Sequence, residues 1–343
     1  MMGAIEALKP EVSPILRCPG TGEPLRVVGN ELVAEDGTRF PIVDGVPRFV
    51  ASEHYAGSFG VQWNRYPQTQ LDRANGTHIS RHRFQQITGR LPEALRGQRV
   101  LEAGCGMGRF LDVVAEAGAE VWGADMSLAV VPAARNTRDR ARCQVVQADL
   151  HRLPFGADFD FIYSIGVLHH TPDPASAFAS LVKHLKPGGT ICAWVYARGT
   201  RSHLRTRLIP RPHQVYTQLA RLVPDAKKHA AFTAYAKLAL GARDRIPLGL
   251  VWEVLLPAHD LRLKRPQHDG FEPDGDEAAR ERLRFDWAMH GVYDAFTPTY
   301  VRQFTPEEVL AWARESGLVD VRAGEVPCTV IARRPAVVGG VRD

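Results

Sequence analysis

The feature that most constrains the fold is a regular alternation of strand and helix patterns between residues 98 and 197. Short strand-like runs with an apolar centre, such as RVLEAG and CQVVQAD, alternate with amphipathic runs such as RFLDVVAEAG. Strands that alternate with helices in this way form βαβ units, because parallel neighbours need a crossover connection. The sequence therefore predicts an α/β fold with a doubly wound, mostly parallel sheet.

One turn of this predicted sheet carries a glycine at every second position, in VLEAGCGMGRF at 100–110. The run follows a strand and opens a helix, which is where ligands bind in doubly wound sheets. Arg109 stands where the dinucleotide fingerprint needs its third glycine, and no Gly-Lys-Ser/Thr is present after it. The motif therefore argues against an NAD oxidoreductase and excludes a Walker loop.

Carboxylates occur at the ends of three successive predicted strands: Glu102, Asp125 and Asp149. An acid next to the glycines would repel a pyrophosphate and would suit a positively charged ligand. Asp125 lies about twenty residues later, where an acid can accept hydrogen bonds from ribose hydroxyls. Asp149 could bind the exocyclic amine of a purine. Together they indicate a ligand with an amine or sulfonium, a ribose and an adenine.

On these motifs the sequence resembles the class I S-adenosylmethionine-dependent methyltransferases. The further motifs that carry the resemblance are FDFIYSIGVLHHTPDP at 159–174 and LKPGG at 185–189. The resemblance implies a Rossmann-like seven-stranded sheet with only the last strand antiparallel, and S-adenosyl-L-methionine as cofactor. The cofactor residues it implies are Glu102, Gly104, Cys105, Gly106, Gly108, Asp125, Met126, Asp149, Leu150 and Ser164.

The first 52 residues are predicted to form a small β module. LRCPGTGEPL and FPIVDGVP resemble a Trm112-like zinc-ribbon module, which holds zinc with cysteine pairs. This chain keeps Cys18, has Thr21 at the partner position and has Ala34 where a later cysteine is expected. One thiolate cannot form a four-ligand zinc site, so we expect a degenerate module that binds no metal.

Residues 53–97 are predicted to form cap helices, including one helix over 79–97. They resemble the N-terminal cap that covers the cofactor in a bacterial subset of these methyltransferases. Gln62, Trp63 and Tyr66 are candidates for lining the pocket and contacting substrate, and the alternative is that Trp63 and Tyr66 are packing residues. A planar guanidinium suits the methionine carboxylate, and Arg81 or Arg83 could supply it.

Residues 198–296 are predicted to be a mostly helical insertion between the fifth strand and the last helix. An insertion at this position overhangs the site, so we expect a substrate lid and a surface through which a homodimer could form. The core resumes over 297–334, and 335–343 form a tail. Candidate substrate contacts here are Tyr196, Tyr293, Asp294 and Tyr300.

The candidate catalytic residues are His169 and His170, which come after the fourth strand at its carboxyl end. An acceptor that loses a proton during methylation benefits from a base that titrates near neutral pH, and histidine does so. The pair has a second interpretation, in which its rings hold the loop by hydrogen bonds. Both interpretations stand at this point.

The composition excludes some classes of protein but does not identify a substrate. The net charge is +5, the five cysteines are scattered, and no apolar run is long enough to span a bilayer. We therefore expect a cytoplasmic enzyme that does not bind membranes and that methylates a small molecule on oxygen, nitrogen or carbon. A tRNA or rRNA methyltransferase is the alternative, although no interleaved basic and aromatic platform supports nucleic-acid binding.

Overall fold

The computed structural model describes residues 14–50, 56–198, 212–243 and 276–336. Segments 1–13, 51–55, 199–211, 244–275 and 337–343 belong to the predicted module, cap, insertion and tail, and they lie outside the described residues. Among the helices that are described, none combines the length and the apolar character needed to cross a membrane.

The described strands form two sheets. The N-terminal sheet contains β1 (Arg26–Val28), β2 (Glu31–Val33), β3 (Arg39–Val43) and β4 (Val46–Pro47). The main sheet contains β5 (Arg99–Ala103), β6 (Glu120–Asp125), β7 (Cys143–Gln147), β8 (Phe159–Ile165), β9 (Leu185–Trp194), β10 (Val319–Ala323) and β11 (Thr329–Arg333).

The main sheet has the order β10-β11-β9-β8-β5-β6-β7. Strands β5 to β9 pair in parallel, whereas β11 is antiparallel to both of its neighbours, β9 and β10. The predicted seven-stranded sheet with an antiparallel last strand is thus confirmed. Its topology brings the carboxyl ends of β5, β6, β7, β8 and β9 to one edge, which positions the site.

The core lies on both faces of this sheet because side chains alternate along each strand. On β5, Val100 belongs to one buried cluster and Leu101 to the other. Parallel strands covered on both faces are apolar at almost every position, and β5 is buried from Val100 to Ala103.

The described helices are α1 (Gly57–Arg65), α2 (Asp72–Asn75), α3 (Ile79–Thr88), α4 (Arg109–Glu116), α5 (Val130–Asn136), α6 (Pro174–Val182), α7 (Pro212–Arg221), α8 (Asp225–Arg243), α9 (Glu277–Phe296) and α10 (Pro306–Glu315). Two 3₁₀ turns cover Pro92–Leu95 and Leu168–His170. The last helix begins in a capping box, in which the Thr305 hydroxyl accepts from the backbone N–H of Glu308.

The helix predicted over 79–97 is shorter than the sequence pattern indicated. It ends at Thr88, because Gly89 adopts a left-handed conformation with φ of 65° and its N–H bonds back to Gln85. Leu91, which was predicted to continue the apolar face, is 52% exposed. The glycine therefore ended the helix two residues before the apolar pattern did.

The N-terminal sheet packs beside the outer strand β7 of the main sheet. The Phe49 N–H donates to the Gln147 carbonyl at 2.8 Å, and the Arg48 guanidinium donates to the Gln147 side chain at 3.0 Å. Leu16 forms an isolated antiparallel bridge with Phe155. The module thus forms part of the same folded unit as the main sheet.

The described part of the insertion consists of α7, α8 and α9, which pack on one another through a third apolar cluster. Phe232 of α8 and Met289, Val292 and Tyr293 of α9 are buried in it, and Tyr66 packs against it. Helix α9 also contacts α1. This packing sets α9 beside the cap helix at the carboxyl edge of the sheet.

Candidate active site

The glycine loop connects β5 to α4, and two of its positions have room only for glycine. Gly104 and Gly106 have φ angles of 85° and 51°, in the region that side chains disfavour. A Cβ on Gly104 would lie 2.3 Å from Cγ1 of Val167, and one on Gly106 would lie 3.3 Å from Nε1 of Trp63. The loop therefore lies between the turn after β8 and helix α1, and Gly108 comes after it as the N-cap of α4.

Asp125 ends β6, and the glycine loop and Ser127 hold its carboxylate in place. Oδ2 accepts from the Gly106 N–H at 2.9 Å, and Oδ1 accepts from the Ser127 N–H at 2.9 Å and its hydroxyl at 2.8 Å. Burial raises the pKa of Asp125, and the donors from Ser127 and Gly106 oppose that shift. A carboxylate fixed at this edge can also accept hydrogen bonds from ribose hydroxyls.

The other predicted nucleoside contacts come after β6 and β7. Met126 is buried, and its carbonyl accepts from Nε2 of Gln147 at 2.8 Å. Oδ1 of Asp149 accepts from the His151 N–H at 2.9 Å, and its side chain is 30% exposed. Leu150 is buried. Because β6 and β7 are neighbours, Asp125 and Asp149 lie along the same edge of the sheet, as the prediction for a ribose and an adenine requires.

Three further predicted cofactor residues have buried side chains beneath the loop: Glu102, Cys105 and Ser164. Glu102 accepts from the Tyr163 hydroxyl at 3.0 Å, and burial raises its pKa well above the usual range. The Ser164 hydroxyl donates to the Ala103 carbonyl at 2.8 Å. The sequence argument placed Glu102 against a positive ligand, whereas its carboxyl bonds to the core. Contact of these three residues with the cofactor stays a prediction.

Helix α9 contributes three side chains to this edge of the sheet. Trp287, His290 and Asp294 are spaced i, i+3 and i+7 and therefore share one helical face. The Trp287 ring lies 5.6 Å from the Arg109 guanidinium carbon, and the His290 ring lies 4.7 Å from the Trp63 ring. This face of α9 thus lies along the glycine loop and α1.

Gln62 and His290 form a buried polar pair between α1 and α9. Nε2 of Gln62 lies 3.0 Å from Nδ1 of His290 and 3.4 Å from the His290 carbonyl. A carbonyl only accepts, so the amide nitrogen faces the ring and Nδ1 accepts from it. Nε2 of His290 therefore carries the ring proton. Burial lowers the pKa of His290 to about 3, with Arg109 adding to the shift, so the ring is neutral.

His170 has a ring orientation that its contacts determine. Its Nδ1 lies 2.8 Å from the Tyr300 carbonyl, which accepts, so Nδ1 carries a proton. Its Nε2 lies 3.5 Å from Oδ1 of Asp294, and Oδ2 of Asp294 accepts from the Tyr196 hydroxyl at 2.6 Å. With a proton on Nδ1, Nε2 is the ring nitrogen that can accept another proton, and this buried atom faces the Asp294 carboxylate.

His169 is placed differently from its neighbour. Its side chain is completely buried, and its ring lies 3.8 Å from the Tyr196 ring and 4.1 Å from the His170 ring. The Asp294 side chain next to His170 is 28% exposed. His170 is itself buried, at 6%, but it lies next to this partly exposed carboxylate, whereas His169 packs within the turn.

The two candidate arginines of the cap have different surroundings. Arg81 forms an ion pair with Glu93 of the cap. The Arg83 guanidinium carbon lies 4.8 Å from the centre of the Trp194 ring, and Trp194 ends β9. Arg83 is therefore the one that reaches the carboxyl edge of the sheet, and its bond to a carboxylate stays a prediction.

Tyr66 and Tyr293 were predicted to contact substrate, and both are part of the apolar cluster between α1, α8 and α9. Their rings are 6.3 Å apart, and the Tyr293 hydroxyl lies 3.1 Å from Nδ1 of His229. Burial raises the pKa of Tyr66 to about 12, so the phenol stays neutral. The described contacts of both residues are packing contacts between helices.

Sequence reasoning used Arg109 only to argue against a dinucleotide, and it did not identify His290 as a residue of this region. Arg109 donates to Oε1 of Gln70 at 2.7 Å and to Oγ of Ser80 at 3.2 Å, and so ties the cap to the glycine loop. His290 precedes Asp294 by four residues, and that spacing on a predicted helix could have indicated that the two share a face.

Comparison with known proteins agrees with this geometry. Residues 101–193 match the family model described as a methyltransferase domain. The ubiquinone biosynthesis O-methyltransferase of Thiobacillus denitrificans is 29% identical over 47% of this chain and 68% of that protein. The protein of the same name from Alkalilimnicola ehrlichii is 35% identical over 32% of this chain and 46% of its own length.

Among solved structures, an S-adenosylmethionine-dependent methyltransferase from Mesorhizobium loti is 31% identical. The match covers 34% of this chain and 53% of that one, with a TM-score of 0.31. The chain spans between 30% and 68% of the lengths of the first curated relatives. The matches to all of these proteins are therefore partial.

The sheet order, the glycine loop with its strand-end acids and the matched family model define a class I methyltransferase domain. Residues 101–193 thus carry a methyltransferase domain of the S-adenosylmethionine-dependent kind, and the comparisons support S-adenosyl-L-methionine as the cofactor of that domain. The chemistry of the site fits this cofactor, because Asp125 is fixed next to the glycine loop and its oxygens can accept hydrogen bonds from ribose hydroxyls. The resemblance of the first 52 residues to a Trm112-like module stays a prediction.

The burial of His290 makes stability depend on pH. An unfolded chain protonates this ring near its ordinary pKa of 6.5, whereas the folded chain does so only near 3. Acidification between these values therefore favours the unfolded state, and stability falls as pH falls. We expect the free energy of unfolding to drop by about 2 kcal/mol more in wild type than in His290→Gln between pH 7 and pH 5. Urea unfolding at both pH values measures this, and equal drops would contradict it.

Proposed function

We propose that this protein transfers a methyl group from S-adenosylmethionine to a hydroxyl of a small-molecule acceptor, with His170 as the general base. The observation that carries the proposal is the arrangement of His170, Asp294 and Tyr196 after the carboxyl end of β8. The Tyr300 carbonyl fixes the proton on Nδ1, and Asp294 faces Nε2 at 3.5 Å. A hydroxyl is the acceptor that gains most from such a base, because it must lose its proton during methylation.

The position of the turn supports this role. Val167, directly before the Leu168–His170 turn, packs against Gly104 of the cofactor loop. His170 is thus three residues after Val167, which contacts the cofactor loop. The rings of Phe59, His169 and Tyr196 surround His170, with the Phe59 ring centre at 5.0 Å. These rings would exclude water and provide flat apolar surfaces for an acceptor.

S-adenosylmethionine supplies a methyl group that is already activated, so the chain has to orient the acceptor and remove its proton. Nε2 of His170 accepts the proton that the acceptor hydroxyl loses. Oδ1 of Asp294 then stabilises the imidazolium, while the Tyr196 hydroxyl keeps the carboxylate in position through Oδ2. The proton leaves to solvent past Asp294, whose side chain is partly exposed.

A small acceptor agrees with the way α9 lies over the edge of the sheet. Trp287, His290 and Asp294 all face the loop or the turn after β8, so the helix covers one side of the site. Two of the partly matching relatives are named ubiquinone biosynthesis O-methyltransferases, and that name describes methylation during the synthesis of a small molecule. In this proposal the insertion acts as the substrate lid.

Transfer of a labelled methyl group distinguishes a small acceptor from RNA. The full chain is incubated with S-adenosylmethionine labelled in its methyl group, once with the low-molecular-weight fraction of a bacterial extract and once with bulk tRNA and rRNA. We expect label in organic-extractable small molecules and none in acid-precipitable RNA. His170→Gln is the matched control and should transfer little label. Label in RNA alone would overturn the small-molecule proposal.

A further inference from the structure

We propose that Gln62 and His290 bind the amino-acid end of S-adenosylmethionine, with Nε2–H of His290 donating to the α-carboxylate and Oε1 of Gln62 accepting from the α-ammonium. The insertion helix α9 would then form part of the cofactor site. The proposal rests on the cofactor and on the site proposed above, and it is independent of the acceptor.

The first observation is a pair of buried polar atoms with no partner. Within the described residues, Oε1 of Gln62 and Nε2 of His290 are both buried without a hydrogen bond. The side chains are nearly inaccessible, at 3% for Gln62 and 2% for His290. A buried donor or acceptor left unsatisfied costs about 1–3 kcal/mol. Two such atoms on one hydrogen-bonded pair of side chains therefore point to a ligand that provides both an acceptor and a donor.

The second observation is the chemistry that the pair presents. Because the amide nitrogen of Gln62 donates to Nδ1 of His290, the open atoms are one donor on the ring and one acceptor on the amide. A free α-amino acid group presents the complementary pair on a single carbon, a carboxylate that accepts and an ammonium that donates. The Arg109 guanidinium lies near enough to oppose protonation of His290, and its positive field also favours an anion here.

The third observation is the position of the pair along the cofactor loop. Asp125 bonds to the N–H of Gly106, while Trp63 lies against the Cα of the same glycine. The His290 ring packs on Trp63 at 4.7 Å. Trp63 thus connects the Gln62–His290 pair to the same Gly106 that Asp125 contacts, and in the proposal the far end of a ligand whose ribose is held by Asp125 lies at this pair. In S-adenosylmethionine the group at that end, joined to the ribose through sulfur and a short chain, is the amino acid.

The test compares two ligands that differ only at that end. S-adenosylhomocysteine carries the amino-acid group, whereas 5′-methylthioadenosine keeps the adenosine and the sulfur and lacks it. The variant Gln62→Leu/His290→Phe removes both polar partners and keeps the approximate shapes, which limits the loss of stability. Calorimetry with the full chain should show a roughly 10- to 100-fold loss of S-adenosylhomocysteine affinity. The affinity for 5′-methylthioadenosine should change by less than about threefold.

Thr297→Val is the matched control, because it removes a hydrogen bond of the same helix, from the Thr297 hydroxyl to the Tyr293 carbonyl. It should leave both affinities unchanged. Equal losses for the two ligands, or no loss for S-adenosylhomocysteine, would overturn the proposal, and the second result would instead favour a role in holding the acceptor. If the double variant does not fold, Gln62→Leu alone is measured and should lose about tenfold for S-adenosylhomocysteine alone. No acceptor is present, so failure here is distinct from failure of the methylation proposal.

Discussion

Replacing His170 by alanine should lower kcat for methyl transfer by about 10²- to 10⁴-fold, the usual contribution of a positioned base. The affinity for S-adenosylhomocysteine should stay within about threefold of wild type, since no described contact joins His170 to the glycine loop or to Asp125. The reason is the ring orientation: the Tyr300 carbonyl holds the proton on Nδ1, so the alanine variant loses the lone pair at Nε2. Single-turnover rates with the acceptor identified by the labelling experiment measure this.

Two controls separate catalysis from packing. Added imidazole should restore part of the activity of His170→Ala, because it can occupy the vacated space and take the proton. His169→Phe removes the neighbouring ring nitrogens and keeps a ring against Tyr196, so it should affect stability more than kcat. If His169→Phe lost the activity and His170→Ala kept it, the base would be assigned to the wrong histidine.

Asp294→Asn tests how the base is supported. The amide keeps an oxygen that can accept from the Tyr196 hydroxyl, but it has no charge to stabilise a proton on Nε2 of His170. In our proposal Asp294 thus acts through His170, as a positioning residue. Its contribution depends on a helix of the insertion reaching the turn after β8, and this contact joins residues more than a hundred positions apart.

The architecture was predictable because its signals are local. The central strands of the main sheet are short runs that are buried on both faces, as in β5, and glycine or proline comes soon after several of them. Short crossover connections then leave few possible topologies. The error at Gly89 has the same origin: an apolar residue at Leu91 extended the helical pattern, although a glycine at a left-handed position ends a helix whichever residues come after it.

The site was predictable only where it is built from strand ends. Asp125 and the glycines come directly after strands in sequence, so their meeting at one edge is a consequence of a parallel sheet. Gln62 and His290 are 228 positions apart, and their pairing depends on how α9 packs across α1. For Glu102, the position at a strand end was predicted from the sequence. Its hydrogen bond from the Tyr163 hydroxyl was not, because that bond depends on how the aromatic side chains pack beneath the loop.

Replacing Asp125 by alanine should abolish most of the cofactor affinity. We expect wild type to bind S-adenosylhomocysteine with Kd on the order of 10⁻⁶ M. If the carboxylate accepts from both ribose hydroxyls, its loss costs about 1.5–3 kcal/mol for each bond, which corresponds to a loss of roughly 10²-fold or more. The variant also frees the Gly106 N–H and the Ser127 donors, which loosens the loop that the cofactor contacts.

Two further variants show whether the carboxylate itself is responsible. Asp125→Asn keeps the shape and one accepting oxygen, so its loss of affinity should lie between those of wild type and Asp125→Ala. Ser127→Ala removes the hydroxyl that donates to Asp125 at 2.8 Å and accepts from the Ala129 N–H at 3.2 Å, but it leaves the carboxylate in place, so it should cost less than about tenfold. Circular dichroism and thermal midpoints verify that each variant is folded. Undiminished binding by folded Asp125→Ala would mean that the ribose is held elsewhere, and the placement of the cofactor along this edge would have to be abandoned.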